Sequence, residues 1–268
     1  MSPNDKPRRI QSADRVCDIL EHLRETGGTT VSEVAEAVGL SPGTAHTYLT
    51  TLESRGFVRK CDGQYRLGIE LLPYGEHVRL QNDLYRAAKA ELHRLAHGSN
   101  ATAHLMTEYD GRLVVLHEAF GEDAIGTEFH PRKRDRPQTH LHCTAAGKAI
   151  LAHMPDYRVA EIIHDHGFVS YTSSTITDPD ELAAELEDVR ERGFALNDQE
   201  QMQGIRAVGA PILYDGKHVL GAVSLSGSAS NWSGDRFRED FPEKVMRAAN
   251  AIEVNVHAEH PDGDRPRI

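Results

Sequence analysis

The chain has 268 residues, a formal net charge of −11 and three cysteines. This length allows one or two domains with cores of ordinary size. No apolar run reaches the roughly 18 residues of a membrane-spanning helix, the polar first residues lack the apolar core of a signal peptide, and the odd, scattered cysteines argue against a disulfide framework. We therefore expect a cytoplasmic protein that does not act at a membrane.

The acidic excess is confined to the part of the chain after Leu67. Up to this residue, nine Lys and Arg side chains balance nine Asp and Glu side chains. Lysine is also scarce, with seven Lys against 23 Arg, and we interpret the acid-rich, lysine-poor composition as adaptation to high salt. Because salt weakens contacts to phosphates, a DNA-binding segment of such a protein would rely more on uncharged groups.

Two short helices separated by a tight turn are predicted between residues 31 and 54. Apolar residues recur at helical spacing up to Val38, Gly39 breaks the pattern, and Ser41 and Pro42 supply an N-cap and a first helical residue for the second helix. A supporting helix over 12–25, capped by Ser12, precedes them. This arrangement indicates a helix-turn-helix.

The second helix has an outer face of small polar side chains, which suits a DNA groove. Two short strands around Asp62-Gly63 follow and indicate a hairpin, so residues 1–68 are predicted to form a winged helix-turn-helix. Such a fold places the second helix in the major groove and the wing beside the phosphates. A small helical domain that serves protein contacts is the alternative. The residues predicted to contact DNA are Ser41, Gly43, Thr44, His46, Thr47, Thr50, Thr51, Arg55, Arg59, Lys60 and Arg66.

A helical connector is predicted over 69–98, with Pro73 as a kink or restart. Its leucines exceed what so small a head can bury, so the second domain or a second copy of the chain is expected to cover them. Residues 99–260 then mix strand and helix patterns, and the whole chain is predicted to be α+β, with a central antiparallel sheet in this second part. A loose tail is predicted over 261–268. Strands are predicted over 101–109, 113–120, 124–130, 194–196, 204–213 and 219–226, helices over 144–153, 155–164, 179–192 and 235–259, and a basic loop over 131–137.

Two other chemistries compete for the second part of the chain. His140, His142 and Cys143 are residue types that bind zinc, but with 16 His in the chain some clustering is expected by chance. Cys143 with a nearby His is also a candidate nucleophile, although no acid-base triad has a recognisable spacing. We predict no cofactor, no metal and no enzyme activity, and a metal-responsive regulator stays open as an alternative.

Several motifs, in order and over nearly the whole length, resemble the IclR family of prokaryotic transcriptional regulators. In the head these are GLSPGTAHTYLTTLESRGFV over 39–58 and YRLG over 65–68. In the second part, residues 142–149 are similar to the family's H-x-[ST]-A-x-G-K-A segment. Three further stretches resemble its acidic loop and last strands, over 198–207, 210–212 and 222–227.

The resemblance implies a GAF/PAS-like α/β effector domain that binds a small organic molecule and changes how a dimer or tetramer sits on its operator. Two features of the residues agree with a pocket: the first N–H groups of a helix capped by Thr144 suit an anion, and Ser224 and Ser226 share one side of a strand. Close helix packing and an exposed strand face are the alternatives. By motif, the implied lining residues are Ala145, Ala146, Asn197, Glu200, Ile205, Ala207, Ser224 and Ser226.

We expect a ligand-responsive regulator that binds double-stranded operator DNA as a homodimer or dimer of dimers and controls a sugar, organic-acid or aromatic-compound operon. Thr47 stands where the family often has an arginine, so the bidentate contact of arginine with guanine is not available there. His46 or Thr50 is then expected to carry more of the readout. A small-molecule sensor that acts through protein contacts without DNA is the alternative from another class.

Overall fold

The computed structural model describes residues 9–122, 124, 140–260 and 264–268. The chain divides into two compact units, Met1–Val78 and Arg79–Ile268. The predicted basic loop over 131–137 lies outside the described residues, as does the predicted strand over 124–130 apart from its first residue. Within the described residues, no helix combines the length and the apolar character needed to cross a bilayer.

The first unit is a winged helix-turn-helix built on one small apolar core. Its elements are α1 (Gln11–Thr26), α2 (Val31–Ala37), α3 (Pro42–Ser54), β1 (Val58–Cys61) and β2 (Gln64–Leu67). Ile19, Leu49 and Tyr65 are among the buried side chains that join the helices to the wing. The Ser41 hydroxyl accepts from the Thr44 N–H at 3.2 Å, which confirms the predicted cap. The cap predicted at Ser12 is wrong, because α1 begins one residue earlier.

The wing is a tight two-residue hairpin. Asp62 and Gly63 both have positive φ angles, 53° and 80°, as the favoured type of two-residue hairpin turn requires. The strand register then places Arg59 directly opposite Arg66 and Lys60 opposite Tyr65. The Asp-Gly pair therefore forms the predicted turn between β1 and β2.

The predicted connector is two helices rather than one. Helix α4 (Leu71–Gln81) contains Pro73 in its first turn, where a missing N–H has no partner to lose. The break comes instead at Asn82, whose extended backbone and side chain cap α5 (Asp83–Ser99) through a 2.9 Å bond from the Tyr85 N–H. Pro73 therefore fits the predicted restart of a helix and not the predicted kink, and α5 packs into the core of the second unit.

The second unit is organised around a five-stranded antiparallel sheet with the order β4-β3-β7-β6-β5. Helices α5 and α9 pack on one face, and α6, α7 and α8 pack on the other. This α+β architecture is the predicted one. The remaining bounds are β3 (Thr102–Tyr109), β4 (Arg112–Phe120), α6 (Ala145–Leu151), α7 (Asp156–His166), α8 (Pro179–Arg192), β5 (Ala195–Asp198), β6 (Ile205–Tyr214), β7 (His218–Ser228) and α9 (Phe241–Glu259).

The last residues are bound to the second unit rather than loose. The Arg267 N–H donates to Asp83 Oδ2 at 2.7 Å, and the Asp83 N–H donates to the Arg267 carbonyl at 2.9 Å. The Tyr214 hydroxyl donates to the Asp264 carbonyl at 3.2 Å. The prediction of a loose tail is therefore wrong for residues 264–268, because a sequence of charged residues does not reveal which backbone groups it will meet.

Candidate functional site

The outer face of α3 presents the predicted DNA-reading residues to solvent. Ala45, Leu49 and Leu52 are buried against the head, which turns the polar side of the helix outward. All eleven residues predicted to contact DNA are exposed, on α3, at its ends and on the wing. Their contact with DNA stays a prediction.

The hydroxyl groups of α3 are bonded within their own helix. Thr47 Oγ1 donates to the Gly43 carbonyl at 3.0 Å, and Thr51 Oγ1 donates to the Thr47 carbonyl at 2.8 Å. Thr50 Oγ1 lies at a longer 3.5 Å from His46 Nδ1. A hydroxyl that donates to its own backbone offers a groove its lone pairs and its methyl group. Thr50 is thus freer than Thr47 to exchange its partner.

The wing places two guanidinium groups on one side of a narrow hairpin. Arg59 and Arg66 are direct cross-strand partners, and both are exposed. Like charges in this position repel each other. Arg66 is also positioned by Gln64, whose Oε1 lies 3.5 Å from its Nη2, and Lys60 Nζ lies 5.3 Å from the centre of the Tyr65 ring. An anion between the arginines would relieve the repulsion.

In the second unit, most of the residues implied by the family motifs meet on the sheet face that α6 covers. Ser226 is the cross-strand partner of Ala207 on β6 and of Thr102 on β3, and Ala207 is in turn the partner of Asn197. Such partners point to the same side of a sheet. We call this surface the polar face; it comprises Thr102, His104, Glu118, Asn197, Ile205, Ala207, Ser224 and Ser226.

The start of α6 lies in direct contact with strand β6. A Cβ atom on Gly209 would stand 2.7 Å from the Ala145 carbonyl carbon and 2.8 Å from the Ala146 nitrogen. The two alanines are 1% and 2% exposed, so their small size serves this close packing. The anion site predicted at this helix start is weakened further, because the Thr144 hydroxyl already accepts from the Gly147 N–H at 3.0 Å. Lining of a pocket by these alanines stays a prediction.

Three buried polar residues of the polar face were not found from the sequence. His104 lies with Nδ1 3.0 Å from Glu118 Oε1 and with Nε2 2.8 Å from Ser226 Oγ. Thr102 is fully buried, and its Oγ1 has no hydrogen-bond partner among the residues that the structure describes. The signal available in the sequence was the pair of polar residues Thr102 and His104 at alternate positions of one predicted strand, with Glu118 inside the next.

Asn197 and Glu200 contribute to the site mainly by holding the loop after β5. Asn197 Nδ2 donates to the Cys143 carbonyl at 3.0 Å, and its Oδ1 accepts from the Glu200 N–H at 2.9 Å. The Glu200 carboxylate pairs with the buried Lys148 at 2.7 Å. Lys148 Nζ also lies 3.0 Å from Glu185. Burial raises the pKa of Glu200 above its ordinary value, against the opposing effect of Lys148.

The residues considered for zinc or for nucleophilic chemistry have other partners. His140 Nδ1 lies 2.7 Å from the Tyr171 hydroxyl, and His142 Nε2 lies 3.2 Å from the Val169 carbonyl. Burial lowers the pKa of both imidazoles, and burial raises the pKa of the Cys143 thiol to about 12. Such a thiol is a poor nucleophile. Over the described residues, no group of three or more His, Cys, Asp or Glu side chains could hold a metal ion.

Comparison with known proteins identifies both parts of the chain. Residues 12–61 match the sequence model of the IclR helix-turn-helix domain, and residues 77–254 match that of the bacterial transcriptional regulator IclR C-terminal domain. The probable HTH-type transcriptional regulator ArcR of Halobacterium salinarum is 40% identical over 254 residues, which cover 94% of this chain and 96% of that protein.

Solved structures share the fold over nearly the whole chain. The IclR transcriptional regulator of Alicyclobacillus acidocaldarius superposes with a TM-score of 0.78 at 26% identity, covering 93% of this chain and 100% of that one. An IclR homologue of Microbacterium hydrocarbonoxydans, complexed with 4-hydroxybenzoate, has the same fold with a TM-score of 0.75 at 21% identity, covering 92% and 99% of the two chains.

The matched relatives are transcriptional regulators and not enzymes. The two segments of this chain that match the family models contain the winged helix-turn-helix and the sheet domain with the polar face. The family resemblance drawn from the motifs is therefore confirmed. The chain belongs to the IclR family of transcriptional regulators, with a helix-turn-helix DNA-binding domain followed by an effector domain.

Proposed function

We propose that the protein binds a palindromic operator through α3 and the wing, and that a small organic effector bound at the polar face changes its affinity for that operator. The observation that carries the proposal is the exposed face of α3, where every predicted contact residue is accessible. A helix with small polar side chains on its outer face can approach base edges closely. The regulated genes are proposed to form a catabolic operon, for a sugar, an organic acid or an aromatic compound.

The wing supports this proposal through its charge arrangement. Arg59 and Arg66 face the same side as direct partners, and two phosphates of a DNA backbone would neutralise them. Contacts of this kind fix position and carry no sequence information. Reading of the sequence would then fall to α3, and we assign Thr50 and His46 the main part because their side chains are only weakly held.

A second copy of the chain is the proposed partner of α4. This helix buries none of its residues, and the side chains of Leu72, Tyr74 and Val78 are 67%, 59% and 67% exposed. Large apolar side chains in a cluster indicate an interaction surface. A homodimer or a dimer of dimers would cover them and would present two copies of α3 to the two halves of a palindrome.

The charge distribution suggests the conditions under which the regulator works. The whole net charge of −11 arises after the neutral head, and the relative at 40% identity comes from Halobacterium salinarum. We propose adaptation to high salt and a cytoplasmic location with the DNA. At high salt the release of counterions contributes little to DNA affinity, which fits a head that is not basic.

The operator can be sought directly by a mobility-shift assay on the DNA upstream of the protein's own gene, at low and at high salt. The expected result is a retarded complex that unrelated DNA does not displace. Arg66→Ala should weaken this complex, while Arg247→Ala, on an exposed position of α9, should not. Equal binding to any DNA, or no binding, would favour a sensor that acts through protein contacts.

The effector response can be tested separately with Ser224→Leu. Ser224 is 3% exposed and lies in the centre of the polar face, so a bulky side chain there should obstruct an effector that binds to this face. The variant should keep its operator complex and lose the response to candidate catabolites. A circular-dichroism melt checks that it still folds, and an unaltered response in the folded variant would refute the placement of the effector.

A further inference from the structure

The wing has a glycine neighbour, Gly28, whose missing side chain determines the direction of the Arg66 side chain. We propose that Gly28 is a positioning residue for DNA binding. The space that it leaves lets the Arg66 side chain lie away from Arg59, so that two separated guanidinium groups are offered to the phosphates. This inference rests on the proposed contact of the wing with DNA, and it assigns a role to a residue that lies outside both α3 and the hairpin.

Gly28 lies beside β2, on the side opposite to β1. The Thr29 N–H donates to the Tyr65 carbonyl at 3.0 Å, and the Tyr65 N–H donates to the Thr29 carbonyl at 2.7 Å. This antiparallel bridge makes the segment before α2 a third member of the wing sheet. Because the two segments run in opposite directions, Gly28 stands next to Arg66 on one side, while Arg59 is its partner on the other side. The three residues therefore form one row across the sheet, with Arg66 in the middle.

The Arg66 side chain occupies the place that a side chain at position 28 would take. A Cβ atom on Gly28 would stand 2.8 Å from Arg66 Nε and 3.1 Å from Arg66 Cγ. It would also stand 3.4 Å from Gln64 Oε1, which lies 3.5 Å from Arg66 Nη2. Arg66 therefore leans toward Gly28 and away from Arg59. Since like charges directly opposite each other destabilise a sheet, this direction lowers the repulsion between the two arginines.

The backbone that follows Gly28 is held in place by the carboxylate of Glu33. Thr29 Oγ1 donates to Glu33 Oε2 at 2.8 Å, and the Thr30 N–H donates to the same oxygen at 2.7 Å. Arg66, by contrast, is exposed, and its long side chain can rotate. A methyl group at position 28 should therefore displace the Arg66 side chain and leave the fold of the head intact. Loss of Gly28 should weaken DNA binding without unfolding the protein.

The test compares Gly28→Ala with Gly27→Ala in the full-length protein. Both glycines have positive φ angles, 151° and 68°, so both variants strain the backbone, but a Cβ atom on Gly27 would meet nothing within 4 Å. Binding is measured over a range of salt concentrations, on a duplex from upstream of the protein's own gene and on an unrelated duplex. Gly28→Ala should weaken both complexes roughly fivefold at low salt and reduce the slope of log affinity against log salt by about 0.9, the value of one phosphate contact. Gly27→Ala should leave this slope unchanged.

A double-mutant cycle separates the positioning role from a general loss of stability. In the Arg66→Ala background, Gly28→Ala should have no further effect on DNA affinity, because the side chain that it displaces is absent. Gln64→Ala is a second probe that leaves residue 28 unchanged, and it should weaken DNA binding about twofold only where Arg66 is present. Thermal unfolding checks that each variant folds. Should Gly28→Ala not fold, the result for Gln64→Ala decides alone.

Three outcomes would overturn the inference and leave the proposed regulator intact. They are an unchanged salt slope in a folded Gly28→Ala, an equal loss of affinity from Gly28→Ala with and without Arg66, and an effect of Gln64→Ala that does not depend on Arg66. Absence of DNA binding by the unaltered protein would instead count against the proposed regulator, and with it against this role of Gly28.

Discussion

The outer face of α3 and the polar face of the sheet both carry hydroxyl and imidazole groups, but these groups are held in opposite ways. On α3 the groups are exposed and bond to residues three or four positions away, as Thr47 does to Gly43. On the polar face most of them are buried, and His104 bonds across strands to Ser226, 122 positions along the chain. The exposed groups of α3 can exchange their present hydrogen-bond partners for groups in a DNA groove. The hydrogen bonds of the polar face have fixed directions.

This difference has energetic consequences. An exposed hydroxyl that loses its partner is solvated by water at little cost, while a buried polar group that loses its partner costs about 1–3 kcal/mol. Substitutions in the second unit should therefore act first on stability, and those on α3 should act on binding alone. The variants below test this contrast, beginning with the largest expected effect.

Removal of the buried cation by Lys148→Met should destabilise the second unit most. Lys148 is 2% exposed and holds both Glu200 and Glu185, and breaking a buried ion pair costs about 3–5 kcal/mol. Chemical unfolding measures the loss. Lys217→Met, on an exposed turn, is the control and should be nearly neutral.

The same variant should show a characteristic dependence on pH. Burial already raises the pKa of Glu200, and loss of Lys148 should raise it further. A folded-state pKa above the ordinary value of 4.5 means that the folded protein holds the proton more tightly, so stability falls as pH rises from 4.5 through the raised pKa. The deficit of Lys148→Met should thus be complete at neutral pH and shrink toward pH 4.5. A deficit independent of pH would argue against an unpaired carboxylate as its cause.

Gly209→Ala should be the next most severe change. The added Cβ would stand within 2.8 Å of the backbone of Ala145 and Ala146, and overpacking of this kind costs about 1–3 kcal/mol. Calorimetry should show a lower melting temperature for the second unit and an unchanged head. Gly98→Ala is the matched control, since its Cβ would meet nothing within 4 Å. Equal melting of the two variants would contradict the close contact of α6 with β6.

Asp83→Asn should have a smaller effect, because it weakens the attachment of the last residues and the ion pair of Asp83 with Arg86. Burial would raise the pKa of Asp83, but hydrogen bonds from the Arg267 N–H and from Arg86 hold it below its ordinary value of 3.8. Its contribution to stability is then present above pH 3.8 and lost as pH falls through the lowered pKa. We expect a loss of about 1 kcal/mol at neutral pH, measured by urea unfolding. Asp188→Asn, on the exposed side of α8, should cost less, and an equal cost would contradict this role.

The head could be predicted almost completely because its signals are local. The turn at Asp62-Gly63 and the cap at Ser41 each depend on neighbours within a few residues, and both lie where the pattern placed them. The break of the connector at Asn82 was missed because proline is the stronger helix-breaking signal in the sequence, although it is harmless in a first turn. Local sequence signals therefore predict the helices and strands. The position of a residue within its helix determines whether a signal such as proline breaks that helix.

The site in the second unit was predicted only in part, for the opposite reason. Ser226, Ala207 and Asn197 were reached through family motifs, yet their alignment depends on the pairing of three strands. His104 and Glu118 belong to the same polar face, but no family motif includes them. A polar residue inside a strand is also more often exposed to solvent than buried. Register is a long-range property, and the sequence alone does not fix which residues face each other.

The smallest effects are expected for substitutions on α3. These variants should separate recognition of the operator sequence from non-specific DNA binding. Thr50→Val should lower affinity for the operator severalfold and leave affinity for unrelated DNA unchanged, because valine keeps the shape and removes the hydroxyl that His46 holds only at 3.5 Å. Thr47→Val should change operator affinity less, since the Thr47 hydroxyl already donates to the Gly43 carbonyl. Thr26→Val on α1, with the same kind of bond to the His22 carbonyl, controls for helix stability. If Thr47→Val were the more damaging variant, or if both lowered specific and non-specific binding equally, the hydroxyl of Thr50 would not be the reading group, and the methyl groups of the helix would have to make the contact instead.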